Sequence, residues 1–491
     1  MLLTSIIQGM QFDIVQGDLN KDIKAIAYDS RNVTKDGIFV AISGFQFDGH
    51  AFIHNAIKQG ASVIISEKAI TVDKGITVLK VANSRNALAN VSSNFYNNPT
   101  ENLNLIGITG TNGKTSTTYF VKSIYEEARK SIALIGTLGT VMNNKVVKNK
   151  NTTPMSLDLQ YFFSEMVTEK IDNCIMEASS HAISLQRVAY SKFNTAIFTN
   201  LSPDHLELHK NMEEYFGEKA KLFKMTSDYN IINADDYYGQ QLIEMVKNDN
   251  PKLITYGIHS KADICATDIH YAFDHTLYTV NTPTGSVRIK VNLPGDIYVL
   301  NSLAAIACAY SNGIPLEVIQ SGINNIKTIQ GRFEVIYEKD DFKVIVDFAH
   351  TEDALQKTLS IMRPFVKGKI ILVFGVYADT SENGTEKRQG MGRVAAEFAD
   401  FSIVTLDNPK QHNPSIMINE TTEAIIRNNG DFEAIPDREK AIQHAIRISK
   451  DNDMIVIAGK GHETTQIIGD TEIPFNEKEI ILDALAEKVS L

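Results

Sequence analysis

Short apolar runs typical of strands alternate with helical stretches along most of the chain and group into three blocks. The first block extends to about residue 100, and its apolar runs are Gly37–Ala41, Ala61–Ser66 and Thr77–Val81. A polar segment at residues 97–102 interrupts the pattern as a linker would. The second block opens with the run Leu103–Ile108 and ends near Gly331. We therefore expect three domains, at residues 1–99, 100–330 and 331–491.

The third block has the clearest alternation, with apolar runs at Phe342–Val346, Ile370–Phe374, Phe401–Thr405 and Met454–Ala458. Strands that alternate with helices predict an α/β fold with a mostly parallel sheet and helices on both faces. Ligands bind such sheets beyond the carboxyl ends of the strands. The segments at those positions are polar or glycine-rich, and they are residues 347–350, Gly375, residues 407–409 and residues 459–463.

A glycine-rich segment, residues 107–115, carries the strongest chemical signal. It follows a strand-like run and precedes a helix with an apolar face formed by Phe120, Val121, Ile124 and Ala128. Glycines let backbone N–H groups approach phosphate oxygens at a helix N-terminus. Lys114 would reach the phosphates and Thr115 would bind Mg²⁺. The spacing is not a strict P-loop, because Ile108 stands where a glycine is usual, and a plain glycine-rich turn is the alternative. We predict a nucleotide site here.

Two acidic segments follow apolar runs in the second block. Glu177 ends the run at residues 174–176, where a carboxylate could hold the Mg²⁺ that phosphoryl transfer needs. A solvated acid at a strand end is the alternative. Asp204 and His205 follow the run Ala196–Leu201, and their types fit either a helix cap or a site.

Lys219 falls on the apolar face of the stretch 212–223, together with Met212, Tyr215, Phe216, Leu222 and Phe223. A lysine in such a stripe usually extends its amine to solvent. A buried lysine can instead have a lowered pKa and become reactive. The spacing does not decide between these alternatives.

The amino-acid composition limits which kinds of molecule and which metal the chain is expected to bind. The chain has 48 Lys and Arg against 59 Asp and Glu, a net charge of −11, which argues against binding to nucleic acid or a membrane surface. The cysteines Cys174, Cys265 and Cys308 show no paired spacing, so neither disulfides nor a zinc site is indicated. That usage fits a reducing cytosol. We also expect no signal peptide and no membrane-spanning segment.

Several short motifs occur together in a fixed order. They are Gly110–Thr115, Glu177–His181, Thr199–His205, Asn301–Ala305, Gly331–Arg332, Asp347–His350, Asp407–Pro409 and Gly459–Glu463, with Asp29–Arg31 and Asp48–His50 in the first block. In this order the chain resembles the Mur ligases over nearly its whole length, and most closely the MurE type. That type adds the third amino acid to UDP-N-acetylmuramoyl-L-alanyl-D-glutamate in peptidoglycan precursor synthesis.

The resemblance implies a uridine-nucleotide domain, a central P-loop ATPase domain and a C-terminal Rossmann-like domain for the amino acid. It implies that ATP phosphorylates the D-glutamyl carboxylate and that an amine attacks the acyl phosphate. Lys219 matches a carbamylated lysine that binds Mg²⁺. We expect catalytic roles for Lys114, Lys219 and His205, and Mg²⁺ binding by Thr115, Glu177 and Lys219. We also expect a cytoplasmic monomer with two substrates, the UDP-linked dipeptide and a free amino acid.

The remaining expected contacts follow from matching positions. ATP contacts are expected from Gly110, Thr111, Asn112, Gly113, Lys114, Thr115, Ser116, Asn301 and Arg332. Contacts to the UDP-linked substrate are expected from Ser30, Thr152, Thr153, Ser179 and Arg187. Contacts to the incoming amino acid are expected from Asp407, Asn408, Lys410, Gly459 and Glu463.

The chain departs from the family pattern mainly around the amino acid. Lys410 and Thr380 stand where diaminopimelate-adding members carry arginines, and Tyr298 replaces one asparagine of the Gly-x-Phe-Asn-x-x-Asn motif. Lysine does not reproduce the bidentate pairing of a guanidinium with a carboxylate. We therefore expect weak use of meso-diaminopimelate, while the loop supplies no carboxylate that would favour L-lysine. Three alternatives stay open, namely a MurE-like paralogue outside the cell-wall pathway, a ligase for another acceptor such as folylpolyglutamate synthase, and a silent nucleotide-binding module.

Overall fold

The computed structural model describes residues 1–44, 47–204, 209–339, 342–376, 378 and 383–489. Within them, three sheets follow one another along the chain, as the three blocks of apolar runs predict. The predicted α/β class is confirmed. The domain boundaries at residues 99 and 330 stay a prediction. No helix in the described part of the chain combines the length and apolar character needed to cross a membrane.

The first sheet has the order β1-β5-β4-β3-β2, with every pair parallel except β1–β5. Its strands are β1 (Asp13–Gln16), β2 (Ala25–Ala27), β3 (Gly37–Val40), β4 (Ala61–Ser66) and β5 (Thr77–Lys80). The helices around it are α1 (Leu3–Ile6), α2 (Ile53–Gln59) and α3 (Ser84–Phe95), with 3₁₀ turns at Ser30–Asn32 and Gly49–Phe52. The expected linker contains a further 3₁₀ turn at Pro99–Asn102.

The second sheet has the order β16-β15-β14-β13-β12-β11-β6-β10-β7-β8-β9 and is parallel from β14 to β7. Its strands are β6 (Asn104–Thr109), β7 (Ile132–Gly136), β8 (Gly139–Met142), β9 (Lys145–Val147), β10 (Asn173–Glu177), β11 (Phe193–Phe198), β12 (Thr226–Asn233), β13 (Lys252–Gly257), β14 (Ile264–Tyr271), β15 (Thr276–Thr282) and β16 (Gly285–Val291). The helices are α4 (Lys114–Glu127), α5 (Ser156–Thr168), α6 (Ser180–Ser184), α7 (Met212–Ala220), α8 (Tyr237–Val246), α9 (Asp296–Ser311) and α10 (Leu316–Asn325), with a 3₁₀ turn at Lys221–Lys224.

The third sheet has the order β17-β18-β22-β19-β20-β21, parallel except for β17–β18, and a separate hairpin pairs β23 with β24. Its strands are β17 (Glu334–Glu338), β18 (Phe342–Asp347), β19 (Ile370–Phe374), β20 (Phe401–Val404), β21 (Phe432–Ala434) and β22 (Asp453–Ala458), and the hairpin is β23 (Thr465–Ile468) and β24 (Thr471–Pro474). The helices are α11 (Glu352–Met362), α12 (Asn383–Phe398), α13 (Pro414–Arg427), α14 (Arg438–Ile448) and α15 (Glu477–Val489), with a 3₁₀ turn at Arg363–Phe365.

The packing between α4 and α9 positions the carboxyl ends of the second sheet. Phe120, Val121 and Ile124 recur at helical spacing on α4 and are fully buried, as their periodicity predicts. Helix α9 is apolar on nearly all sides and lies inside the protein. One continuous apolar cluster extends from these helices into α11 and β19 of the third sheet. The second and third units therefore share a packed core beneath the cleft between them.

Candidate active site

A cavity of about 260 Å³ lies where the carboxyl ends of the second sheet face the third unit. Strands β6 and β10 are neighbours in parallel register, so the loop after β6 and the end of β10 reach the same edge. Residues 111–116 line one wall, the first turn of α9 lines a second, and β18 with α11 lines a third. The cleft thus joins a phosphate-type loop to polar residues of another domain.

The loop after β6 makes the sharp turn that its glycines predict. Gly113 has a φ of +88° and directly precedes α4, and a Cβ there would collide with the Asn301 side chain. The Lys114 Nζ donates to the backbone carbonyl oxygens of Gly110, at 2.9 Å, and Thr111, at 2.8 Å. Lys114 therefore lies folded over its own loop.

Lys219 reaches the same place from α7. It is 1% exposed, and its Nζ donates to the Gly110 carbonyl oxygen at 2.8 Å while lying 4.6 Å from the centre of the Tyr215 ring. Among the described residues, no carboxylate lies within 4.0 Å of Lys114 Nζ or Lys219 Nζ. Burial and the neighbouring Lys114 charge lower the pKa of Lys219 well below its ordinary value. The reactive-lysine alternative thus fits the geometry, whereas an amine extended to solvent does not.

Glu177 lies at the end of β10 and is 1% exposed, so the solvated alternative is wrong. Its Oε1 accepts from Thr115 Oγ1 at 3.0 Å and from the Thr137 backbone N–H at 3.0 Å, and its Oε2 accepts from Thr137 Oγ1 at 3.0 Å. A buried carboxylate beside a loop hydroxyl offers hard oxygen ligands to Mg²⁺. No group of three or more Asp, Glu, His or Cys that could enclose a metal occurs among the described residues. The donor set therefore suits an ion completed by phosphate oxygens and water.

Arg332 and Asn301 face the loop from the opposite side. Arg332 Nη2 donates to Thr115 Oγ1 at 3.2 Å, and its guanidinium lies 4.5 Å from the centre of the Phe348 ring. The Asn301 Nδ2 is buried and has no hydrogen-bond partner within the described residues. A buried donor without a partner is rare in a native structure and is expected where a ligand binds. These side chains suit the phosphates or sugar of a nucleotide.

Two contacts cross the cleft between the second and third units. The Asn112 Nδ2 donates to Asp353 Oδ2 on α11 at 2.9 Å. Lys387 on α12 forms an ion pair with Asp204 at 3.3 Å, and both side chains are largely buried. Asp204 is therefore an interdomain partner rather than an ordinary helix cap. His205, the other residue of that predicted pair, and Thr380 lie outside the described residues.

The wall toward the first unit holds the residues expected to bind the UDP-linked substrate. Thr153 Oγ1 donates to the Glu177 carbonyl oxygen at 2.7 Å, and Ser179 Oγ caps α6 by accepting from the Ala182 N–H at 3.2 Å. Arg187 Nη1 donates to the Thr153 carbonyl oxygen at 2.9 Å, while its buried Nε has no partner among the described residues. Ser30 is buried in the first unit, where its Oγ accepts from Asn55 Nδ2 at 3.3 Å.

The segments after β20 and β22 meet in the third unit. Asp407 is 3% exposed, and Asn408 Nδ2 donates to Glu463 Oε2 at 3.0 Å. A Cβ at Gly459, where φ is +116°, would lie 2.7 Å from Asp407 Oδ2, so these two segments pack closely. Lys410 has an exposed side chain, and its backbone pairs with the β23–β24 hairpin through Ile467 and Gly469. The motif residues of this unit therefore form a second polar cluster.

Family models match the three units in order. They are the Mur ligase family catalytic domain at residues 22–98, the Mur ligase middle domain at residues 108–309, and the Mur ligase glutamate ligase domain at residues 331–461. UDP-N-acetylmuramoyl-L-alanyl-D-glutamate--2,6-diaminopimelate ligases of Caldanaerobacter subterraneus subsp. tengcongensis and Clostridioides difficile are each 42% identical to 99% of this chain. The alignments cover 99% and 100% of those relatives. The chain belongs to the Mur ligase family.

Solved structures agree with that membership. A UDP-N-acetylmuramoyl-L-alanyl-D-glutamate--2,6-diaminopimelate ligase superposes with a TM-score of 0.70 at 26% identity, covering 100% of this chain and 99% of the other. A MurF ligase from Thermotoga maritima, solved with ADP, has a TM-score of 0.63 at 18% identity over 95% of this chain and 98% of its own, which supports the fold alone. The expected resemblance to the MurE type, the three-domain architecture and the ATP-dependent ligase class are confirmed.

Most residues expected at the Mur ligase ATP and Mg²⁺ sites surround one cavity. Its lining includes Thr111, Asn112, Gly113, Lys114, Thr115, Ser116, Thr152, Glu177, Ser179, Asn301 and Arg332, and Gly110 contributes the carbonyl oxygen shared by the two lysines. The residues Asp407, Asn408, Gly459 and Glu463 form the separate cluster in the third unit. Their functional roles stay predictions.

Sequence reasoning missed four polar residues. Thr137 lies on a turn that carries no recognisable motif. Asp353 and Lys387 lie on helices whose polar residues alternate with apolar ones as on any surface helix, so their spacing does not link them to the site. Lys460 lies inside the Gly459–Glu463 motif, and that position could have been found. A lysine between two glycines at a strand end, next to acidic motif residues, is the available signal.

Proposed function

We propose that this Mur ligase joins 2,6-diaminopimelate to the D-glutamyl carboxylate of UDP-N-acetylmuramoyl-L-alanyl-D-glutamate, with conversion of ATP to ADP and phosphate. The observation that supports it best is the convergence of Lys114 and Lys219 on the Gly110 carbonyl oxygen. A buried ammonium that has no counterion among the described residues is costly in a dry cleft. An anion such as the ATP triphosphate would pair with Lys114, and it would bind where the loop N–H groups and the α4 N-terminus favour negative charge.

Thr115 and Glu177 would hold Mg²⁺ through a hydroxyl and a carboxylate oxygen. The ion would neutralise charge on the β- and γ-phosphates when bound. Lys114 would stay close to the phosphoryl group during transfer, because its side chain is folded over the loop that would bind the phosphates. Asn301 and Arg332 would add donors from the opposite wall, and α11, which lines the cavity, would help to exclude water.

In the first chemical step, a D-glutamyl carboxylate oxygen attacks the γ-phosphorus, and the bond to the ADP oxygen breaks. The product is an acyl phosphate. In the second step, the amine of the incoming amino acid attacks the acyl carbon, phosphate leaves, and the amine proton passes to solvent. Each step needs its two reactants held close together in a water-poor site, which the cleft between the two domains supplies.

We propose that Lys219 is carbamylated. Its neutral amine would add to CO₂ and release one proton, which would leave an anion beside the Gly110 carbonyl oxygen of the phosphate loop. The lowered pKa supports this step, because a larger fraction of the amine is unprotonated at neutral pH. The carbamate would then join the oxygen donors available to Mg²⁺.

The UDP-linked substrate would extend from the first unit to the cleft. We propose that Ser30 contacts the uridine nucleotide and that Thr152, Thr153, Ser179 and Arg187 hold the peptide end. The unpaired Arg187 Nε is a donor suited to a substrate carboxylate or amide oxygen. For His205, which lies outside the described residues, we propose the catalytic role that the resemblance implies.

The identity of the amino acid rests on the relatives, which revise our expectation of weak diaminopimelate use. Their printed names specify 2,6-diaminopimelate at 42% identity over full length. We propose that Lys410 supplies a single positive charge for the far carboxylate, in place of a bidentate guanidinium. Its backbone pairing to the hairpin keeps the side chain at the rim of the Asp407–Asn408 segment.

The test is kcat/KM for meso-diaminopimelate, L-lysine, L-ornithine and neutral amino acids with the UDP-linked dipeptide as common acceptor. We expect meso-diaminopimelate to be preferred at least tenfold. Lys410→Ala should lower that preference, and Lys440→Ala, at an exposed lysine of the same domain, should not. A preference for another amino acid would overturn the assignment of diaminopimelate, and phosphate release only with a different acceptor would overturn the pathway.

We further propose a monomeric enzyme of the cytoplasm. The three cysteines are free, and Cys174 and Cys308 are buried, as suits a reducing compartment. Light scattering after gel filtration tests the monomer, since a mass well above 54.5 kDa would contradict it.

A further inference from the structure

Lys460, in the loop after β22, is fully buried in the polar cluster of the C-terminal domain. Its Nζ lies 2.7 Å from Glu463 Oε2, 3.1 Å from Asn408 Oδ1 and 3.4 Å from Asp407 Oδ1. A buried ammonium is tolerated only where it is paired and hydrogen-bonded, and this one has three oxygen partners. Lys460 therefore connects the two segments that the resemblance assigns to the amino acid.

The contacts fix the orientation of each partner. Asn408 Oδ1 accepts from both Lys460 Nζ and the Ile467 N–H, the latter at 2.9 Å, so its Nδ2 must point to Glu463 Oε2. Although burial opposes it, the Lys460 charge and the Asn408 hydrogen bond lower the pKa of Glu463 below its usual range. Each of the two carboxylates, of Asp407 and Glu463, is thus hydrogen-bonded to Lys460 through one of its two oxygens.

Their second oxygens stay available. Within the described residues, Asp407 Oδ2 and Glu463 Oε1 accept no hydrogen bond. Burial raises the pKa of Asp407, while the Arg438 and Lys460 charges oppose that rise. With both carboxylates ionised, Asp407, Glu463 and Lys460 together carry one net negative charge. Behind them, the buried pair of Arg438 with Glu477, 2.7 Å apart, is neutral. A cluster with one net negative charge and two free carboxylate oxygens suits an ammonium group.

We propose that Lys460 is a positioning residue for the incoming amino acid, holding Asp407 and Glu463 so that their second oxygens accept from a substrate ammonium. This inference rests on the proposed function, because it assigns that cluster to the amino acid. Without Lys460, the two carboxylates would repel each other and turn apart, and Asn408 would lose its fixed orientation. Lys460 itself would not touch the substrate, since its donors are already used.

The test compares Lys460→Met with the wild type and with Lys440→Met, which changes an exposed lysine of the same domain. We expect the KM for meso-diaminopimelate to rise at least tenfold in Lys460→Met. The KM values for ATP and the UDP-linked dipeptide should change less than twofold. Acyl-phosphate formation should persist in this variant, because that step precedes amine attack. It is measured without amino acid, by positional isotope exchange in labelled ATP.

An unchanged KM for the amino acid, or an equal rise in all three KM values, would overturn the proposal. If Lys460→Met does not fold, as judged by thermal melting, Lys460→Gln takes its place, and failure of both variants to fold would assign Lys460 to stability alone. If wild-type protein prefers another amino acid, the same KM comparison with that amino acid still decides the role of Lys460. Wild-type protein that ligates nothing would refute the proposed function instead.

Discussion

At the scale of single residues, substitution of Lys219 and of Lys114 tests two different proposed roles, the carbamate and the contact to the transferring phosphoryl group. Lys219→Ala should lower kcat at least a hundredfold, because it removes both the proposed carbamate and the Lys219 contact to the phosphate loop. Lys221→Ala is the matched control, since this nearby lysine is exposed and pairs with Glu218. The readout is phosphate release at saturating substrates.

The proposed carbamate predicts that activity depends on pH and on CO₂. Because the pKa of Lys219 is lowered, a larger fraction of its amine is unprotonated near neutral pH and can react with CO₂. The amine becomes protonated, and therefore unreactive, as the pH falls through that lowered pKa. Activity should therefore fall on the acidic side and after CO₂ removal, and bicarbonate should restore it. Labelled CO₂ should give a carbamate carbon signal by NMR that is absent in Lys219→Ala. Full activity in CO₂-free buffer would contradict the carbamate.

Lys114→Ala should lower kcat on the order of a hundredfold to a thousandfold, since it removes the amine that we propose stabilises the transferring phosphoryl group. The fold should survive, because the Lys114 amine contacts only its own loop. Lys122→Ala, on the same helix and paired with Glu126, is the control. Near-native turnover of a folded Lys114→Ala protein would refute the loop assignment.

At the scale of elements, α11 lines the candidate ATP site and contacts its glycine-rich loop through Asp353. Asp353→Ala removes the contact to Asn112 and should weaken ATP use, seen in kcat/KM, by roughly fivefold to tenfold, as for a hydrogen bond of about 1–1.5 kcal/mol. Gln356→Ala, at an exposed position of the same helix, should have no effect. Equal behaviour of the two variants would mean that α11 does not contribute to nucleotide binding.

Elements and their order were predictable because local periodicity determines them. The runs at 37–41, 61–66 and 370–374 became strands with nearly the same bounds, and the glycine-rich turn before α4 lies where its spacing indicated. Partners that lie far apart in sequence were not predictable. Asn112 and Asp353 are 241 positions apart, and no pattern within either segment refers to the other. The burial of Lys219 was likewise undecided until its neighbours were known.

At the scale of the whole molecule, the ion pair between Asp204 and Lys387 connects the central and C-terminal domains. Lys387→Ala leaves the mostly buried Asp204 without this partner, and the domains should separate so that water reaches its carboxylate. Small-angle scattering should show a larger radius of gyration for Lys387→Ala than for wild type. Arg393→Ala is the control, because its exposed pair with Glu352 lies within one domain and contributes about 0–1 kcal/mol. An unchanged radius would contradict this role.

The convergence of Lys114 and Lys219 on one carbonyl oxygen has a practical consequence for work with the ligand-free protein. Such a cleft attracts small inorganic anions from the buffer, because Lys114, the loop N–H groups and the α4 N-terminus all favour negative charge. Phosphate is also a product of the proposed reaction, so turnover would generate its own competitor. We expect phosphate and pyrophosphate to inhibit competitively against ATP, and assays in phosphate or sulfate buffers to underestimate the affinity of the enzyme for its nucleotide.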